Sequence, residues 1–193
     1  MSEIRLQEFD STWAKRFEEE AGKIAALLGH EVIIIHHIGS TAIPDILARP
    51  IIDILVEVKD IDKIDAFNQS FEAIGYIAIG EHGIQGRRFF IKDDSDGNRQ
   101  VNLFVFQARH SLIAQTLDFR DFLITHPKEA RFYSLLKVEL AKQHANDLAA
   151  YMRGKEAFIH QILLRAEEWR QSALTGPEGS VDPIENSSDD SIT

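Results

Sequence analysis

The chain has 193 residues, 44% of them hydrophobic and 27% charged, with a formal net charge of −10, which is enough for one domain with a real core. No apolar run approaches the roughly 18 residues that span a bilayer, and the acid-bearing start MSEIRLQEFD is unlike the basic, apolar pattern of a signal peptide. Cysteine is absent, which excludes disulfides, thiolate nucleophiles and Cys-based zinc sites and suits a reducing, cytoplasmic address.

Trp13, Phe17, Ala21, Ile24, Ala25 and Leu28 recur at the spacing of one helix face, with Asp10 or Ser11 placed to cap its start. Val32 to Ile35 is β-branched throughout and reads as a buried strand. His37 to Pro50 holds Gly39 and two prolines and reads as loop or a short helical turn. Ile51 to Val58 forms a second strand that carries Asp53, Leu55 and Glu57 on one face. Asp60 to Ile74 reads as a helix stopped by Gly75.

Further along, Arg87 to Lys92 and Arg99 to Phe106 flank the turn-forming Asp93 to Asn98 and read as a β-hairpin. That acidic turn does not match a calcium loop, because Lys92 falls on the first ligand position when Gly97 takes the sixth. Three helices complete the body, over Ser111 to Thr125, Pro127 to His144 and Ala149 to Arg170. Gly80, Gly83 and Gly86 mark a candidate mobile loop. The expected organisation is one unit over 1–170, with an α/β core to about 108 and a helical part over 109–170. Residues 171–193 carry five acids and no Lys or Arg and read as an acidic disordered tail. A mildly acidic body without a basic stripe disfavours an extended nucleic acid, which leaves a small anion held in one pocket as the partner this charge pattern admits.

The chemistry concentrates between His37 and Glu57. A glycine such as Gly39 lets backbone approach a phosphate, the Ser40 and Thr41 hydroxyls can hydrogen-bond its oxygens, and a strand-borne carboxylate, Asp53, can hold Mg²⁺ against it. The same Gly-Ser pair also reads as a plain turn. His37 is a candidate phosphate donor or general base, and Arg49, Arg87 and Arg88 are candidate anion clamps or surface cations. Because Arg87 and Arg88 alternate on a strand, one of them should face the site. Lys155 reads as a solvated helix lysine. Glu57 shares a face with Asp53, but four residues along a strand is roughly 13 Å, too far for both to bind one metal directly.

The string His37-Ile38-Gly39-Ser40-Thr41-Ala42-Ile43-Pro44, followed by Ala48-Arg49-Pro50-Ile51-Ile52-Asp53-Ile54, resembles the signature of the GrpB family. Its usual form has glycine at Asp45 and often lysine at Arg49. Further likenesses run through Trp13, Phe17 and Glu20, through Gly86 to Phe90, through Phe119 to Leu123 with Pro127, and through Tyr133, Leu136-Lys137, Leu140-Ala141, Tyr151, Lys155 and Phe158-Ile159. The resemblance implies a nucleotidyltransferase-like α/β (α+β) fold with a mixed sheet and packed helices. It also implies an association with nucleotide or coenzyme-A metabolism, since the domain is found joined to some bacterial dephospho-CoA kinases.

Nucleotidyl transfer with two Mg²⁺ ions uses two carboxylates on one strand and a third on a neighbour. Here Asp53 fills the first place, Leu55 stands at the second, and the neighbouring strand offers Asn102, Phe104 and Phe106. Phe104 stands where the family resembled usually has histidine. Two expectations follow: a Mg²⁺-dependent nucleotidyltransferase with an incomplete carboxylate set, acting on an unknown acceptor, or a non-catalytic accessory module that binds a nucleotide, a coenzyme-A-related or other small phosphorylated ligand, or another protein through the same pocket.

Overall fold

The computed structural model describes residues 4–175. Helix α1 (Thr12–Leu28) begins where Asp10 Oδ1 accepts the N–H of Thr12 at 2.8 Å; Ser11 makes no cap bond. Five strands follow: β1 (Val32–Ile38), β2 (Ile52–Val58), β3 (Ile77–Gly80), β4 (Arg87–Asp93) and β5 (Arg99–Gln107). They form one mixed sheet in the order β1-β2-β5-β4-β3, with β2 and β5 parallel and every other neighbouring pair antiparallel. The hairpin expected between β4 and β5 is present, its turn closed by Asp94 Oδ1 accepting the N–H groups of Asp96 and Asn98.

One face of the sheet packs on α1 and the segment after β2. Trp13, Ile24, Leu28, Ile54, Val56, Phe71, Tyr76, Phe90, Leu103 and Val105 form that core. The other face carries Ile38, Leu55 and Phe106 and meets Ile113 of α3 (Ser111–Thr125). Beyond it lie α4 (Pro127–Gln143), α5 (Leu148–Gly154) and α6 (Glu156–Thr175). These helices share a cluster of Phe122, Leu123, Ala130, Tyr133, Ile162 and Ala166 with Ile43 and Ile46 of the loop after β1. The resemblance's mixed sheet with packed helices is what the chain forms, and no helix among the described residues is long and apolar enough to cross a membrane.

Several local expectations are corrected. Strand β1 is not buried: it is an edge strand, with Ile33 and Ile34 45% and 47% exposed, and it runs on through His37 to Ile38 before a 3₁₀ turn over Ser40–Ala42. β-branching marks a strand without fixing its place in the sheet. The segment after Asp60 is a 3₁₀ helix over Ile61–Phe67 that passes into a short α2 (Asn68–Ala73). Strand β3, unexpected from sequence, pairs on β4 as the other edge. The final helix expected over Ala149 to Arg170 is two helices, broken at Lys155, and α6 reaches Thr175. The acidic segment beyond it lies outside the described residues.

Candidate functional site

The loop between β1 and β2 folds under α4 by side-chain contacts. The N–H of Leu47 donates to Ser134 Oγ at 2.9 Å, and Lys137 Nζ donates to Ser40 Oγ at 3.1 Å and to the Leu47 carbonyl. A cavity of about 620 Å³ opens between the second sheet face, this loop and helices α3 to α6, within the size range of small-molecule sites. An apolar wall comes from Ile38, Leu55, Phe104, Phe106 and Leu112. The lining also carries Arg49, Arg87, Lys137 and Lys155, with Asp53 as its one acid.

Gly39 and Asp53 meet at the floor. Gly39 has φ +71°, and a Cβ there would run into the Asp53 carboxyl. Strand register sets Ile38 and Asn102 on either side of Asp53, and Asn102 Nδ2 donates to Asp53 Oδ1 at 2.8 Å. Arg99 holds that amide by donating to Asn102 Oδ1 at 2.9 Å. Although Asp53 keeps some surface on the cavity, the surrounding protein desolvates its carboxyl and raises its pKa to about 6; the Asn102 hydrogen bond and the charges of Lys155, Arg49 and Arg99 oppose that rise.

The cations are perturbed the other way. Lys137 is 2% exposed, and burial, with Lys155 adding to it, lowers its pKa to about 7. Burial lowers Lys155 to about 8, against the favourable field of Asp53. Arg49 is pulled below its ordinary value, also chiefly by burial. The charged ends of Arg49 and Lys155 make no hydrogen bond or ion pair among the described residues; Lys155 lies over the Tyr151 ring at 4.7 Å. Half-buried cations with no ion-pair partner are costly unless an anion completes them.

The candidates from sequence divide. Gly39, Ser40, Thr41, Arg49, Asp53 and Arg87 line the cavity; His37, Glu57 and Arg88 do not. Glu57 pairs with His36, Oε1 to Nε2 at 2.8 Å, away from Asp53. Arg88 turns to the opposite face and clasps Asp65 with two bonds of 2.7 and 2.8 Å.

His37 stacks on Phe17, and its Nε2 lies 3.0 Å from Thr41 Oγ1. Because the Thr41 hydroxyl donates to the Ile51 carbonyl at 3.2 Å, the ring nitrogen is the donor to Thr41. Burial and the Arg120 charge hold the imidazole pKa near 4, so His37 is neutral near pH 7 and props the loop from behind. Arg87 Nε and Nη2 donate to the carbonyls of Glu81 and His82 at 3.1 and 2.7 Å. The glycine-rich loop read as mobile is therefore tied to the cavity rim.

Lys155 corrects the reading of a solvated helix lysine. The break between α5 and α6 turns it inward, with Gly154 packed against the Leu140 side chain where a Cβ would collide. Lys137, Tyr151 and Asn102 were also missed as site residues. The signal available was a basic residue at an apolar position of a helix, as Lys137 is between Tyr133 and Leu140.

Among the described residues no group of three or more His, Asp or Glu is placed to hold a metal ion. Asp53 pairs with Asn102, and Leu55 rather than an acid stands two residues along the same strand, with basic residues nearby, so this donor set does not fit a two-metal centre.

Comparison with known proteins agrees over most of the chain. A crystal structure of the conserved protein GrpB from Enterococcus faecalis superposes with a TM-score of 0.83 at 36% identity, covering 87% of this chain and 100% of that one. The YqkA protein of Bacillus subtilis is 38% identical over 163 residues, 84% of this chain. A dephospho-CoA kinase of Mycobacterium tuberculosis is 27% identical over 199 residues, 90% of this chain. The chain spans about half the length of these two relatives, 47% and 48%. A family model described as GrpB protein matches residues 3–165, and the chain belongs to the GrpB family.

Proposed function

We propose that the cavity binds a small phosphorylated molecule with an apolar portion, and that it does so without a divalent metal. The observation that carries this reading is the convergence of Arg49, Arg87, Lys137 and Lys155 on one cavity that has a single acid and an apolar wall. A phosphate on the basic side would complete Arg49 and Lys155 with charge-assisted hydrogen bonds, and the apolar wall would take a base, pantetheine-like or acyl group. The kinase named among the relatives makes coenzyme-A precursors the first ligands to screen.

The nucleotidyl-transfer expectation from the family resemblance is the competing reading, and the incomplete carboxylate set counts against it. The test is thermal denaturation with coenzyme-A precursors and nucleotides, in Mg²⁺ and in EDTA, on wild type, Arg49→Ala and Lys155→Ala. A ligand at about 100 times its dissociation constant adds about 2.7 kcal/mol of stability, so a binder raises Tm by several degrees. The expected result is a shift that survives EDTA and is lost in both variants. Pyrophosphate release from a triphosphate, dependent on Mg²⁺ and abolished in Asp53→Ala, overturns the reading in favour of transfer.

A further inference from the structure

We propose that Ser40 and Lys137 form a nucleophile–base pair, and that the cavity supports cleavage of a carboxylic ester or thioester whose acyl group lies on the apolar wall. It rests on the proposed ligand class only for where a phosphate on the substrate would sit.

Ser40 lines the cavity immediately after Gly39, whose positive φ turns the chain as it leaves the strand. Lys137 Nζ is 3.1 Å from Ser40 Oγ, meets the Leu47 carbonyl, and lies 4.5 Å from the centre of the Tyr133 ring. In the structure Lys137 is the donor to both oxygens; once it loses a proton it can keep an N–H on Leu47 and accept the Ser40 hydroxyl proton along the same 3.1 Å contact. A nucleophile and a base within hydrogen-bond reach is the pairing that activates a serine, and lysine serves as the base in Ser-Lys enzymes.

The position of Leu47 is fixed in turn by its N–H donating to Ser134 Oγ. The groups facing the pair are Tyr133 on α4, Arg49 and Asp53 from the loop and β2, and Tyr151 and Lys155 at the α5–α6 joint. Burial and the Lys155 charge favour the neutral amine, and the Lys155 and Arg49 cations on the same cavity would stabilise a developing oxyanion. Simple phosphate binding would be served by a charged lysine at this place; the buried contact with a serine hydroxyl inside a half-apolar cavity is what favours covalent chemistry.

In the step proposed, Ser40 Oγ bonds to the acyl carbon as its proton passes to Lys137. The carbon–oxygen or carbon–sulfur bond to the leaving group then breaks, and Lys137 returns the proton to that group. Water, deprotonated by Lys137, attacks the acyl-serine, releasing the carboxylic acid and restoring the hydroxyl. The net reaction is ester plus water to acid plus alcohol or thiol.

The experiment is labelling of the full chain with an alkyl fluorophosphonate between pH 6 and 9, read by intact mass and peptide mapping, with Tm confirming that each variant is folded. The expected result is one adduct on Ser40, absent in Ser40→Ala, formed at a rate that rises with a midpoint near pH 7 and falls at least tenfold in Lys137→Met. Should the buried methionine unfold the chain, Lys137→Arg replaces it, and the same rate loss is expected because arginine cannot act as the base. A folded wild type that takes no adduct on Ser40, or takes it equally fast in the Lys137 variants, overturns the proposal. Because ligand binding is read separately by thermal shift, an unlabelled protein that still binds phosphorylated ligands sinks this inference alone.

Discussion

Gly39 sits so close to Asp53 that any side chain at Gly39 would overlap the carboxyl: a Cβ would lie 2.9 Å from Cγ and 3.0 Å from the Asp53 Cβ. The glycine is required twice, by this contact and by its φ of +71°. Gly39→Ala should destabilise the protein by about 2 kcal/mol or more, combining roughly 1 kcal/mol of backbone strain with overlap. In an Asp53→Ala background the cost of Gly39→Ala should fall by about 1 kcal/mol, measured by urea denaturation as a double-mutant cycle. Strict additivity would mean that the backbone conformation alone explains the glycine.

The Asp53 carboxyl titrates near 6 in the folded chain, above its ordinary value. The native state therefore holds the extra proton between about pH 4 and 6, and stability falls as pH rises through that window. Asp53→Asn keeps the shape and removes the ionisation. It should match wild type near pH 3.5 and exceed it by about 1–2 kcal/mol at pH 8, after allowing for the carboxyl's partial access to the cavity. Chemical denaturation at the two pH values checks this, and a gap that does not change with pH would show that burial is not what raises the carboxyl.

The elements set by local chemistry were legible in the sequence. The apolar face from Trp13 to Leu28 marks α1, and the Asp93–Asn98 turn marks the β4–β5 hairpin. Asp53, Gly39, Ser40, Arg49 and Arg87 could be nominated because residue type and strand alternation are local properties. What needed the fold was pairing. Nothing near Arg88 in sequence indicates that Asp65, 23 residues earlier, takes it away from the cavity, and Glu57 is likewise claimed by His36 across the β1–β2 ladder. Lys155 was hidden for another reason: the apolar period of Ala149 to Arg170 continues through the break, so a sequence reading keeps one helix and leaves the lysine in solvent. The edge position of β1 and the pairing of β3 depend on sheet order, which strand composition does not encode.

Binding of a phosphorylated ligand should take up protons. Lys155 and Lys137 titrate near 8 and 7 in the folded chain, both lowered from the ordinary lysine value. A bound anion favours above all the charged form of Lys155, the more accessible of the two, so affinity should fall by about tenfold as pH rises from about 7 to 9. For the unliganded protein the sign is opposite. The unfolded chain binds more protons between the folded and ordinary lysine values, so stability attributable to these groups rises across that range. Calorimetric titration with pyrophosphate in two buffers of different ionisation enthalpy measures the uptake directly. Zero uptake at pH 8 would show that neither lysine meets the anion.

Adjacent arginines on β4 give the sharpest separation of site from scaffold. Arg88→Ala removes the two-bond clasp on Asp65, a partly exposed ion pair, and should cost about 0.5–1 kcal/mol with ligand binding unchanged. Arg87→Ala removes the donor that holds the Glu81 and His82 carbonyls and leaves Phe89 and Phe104 without the guanidinium that lies 5.2 and 5.8 Å from their rings. It should speed amide exchange over residues 81–86 and weaken ligand binding by tenfold or more, through a looser rim and one fewer positive charge on the cavity. Hydrogen-exchange mass spectrometry alongside calorimetry distinguishes the two. If Arg88→Ala weakened binding as much as Arg87→Ala, the assignment of opposite strand faces to opposite roles would fail, because only one of the two side chains can reach the cavity from a single strand.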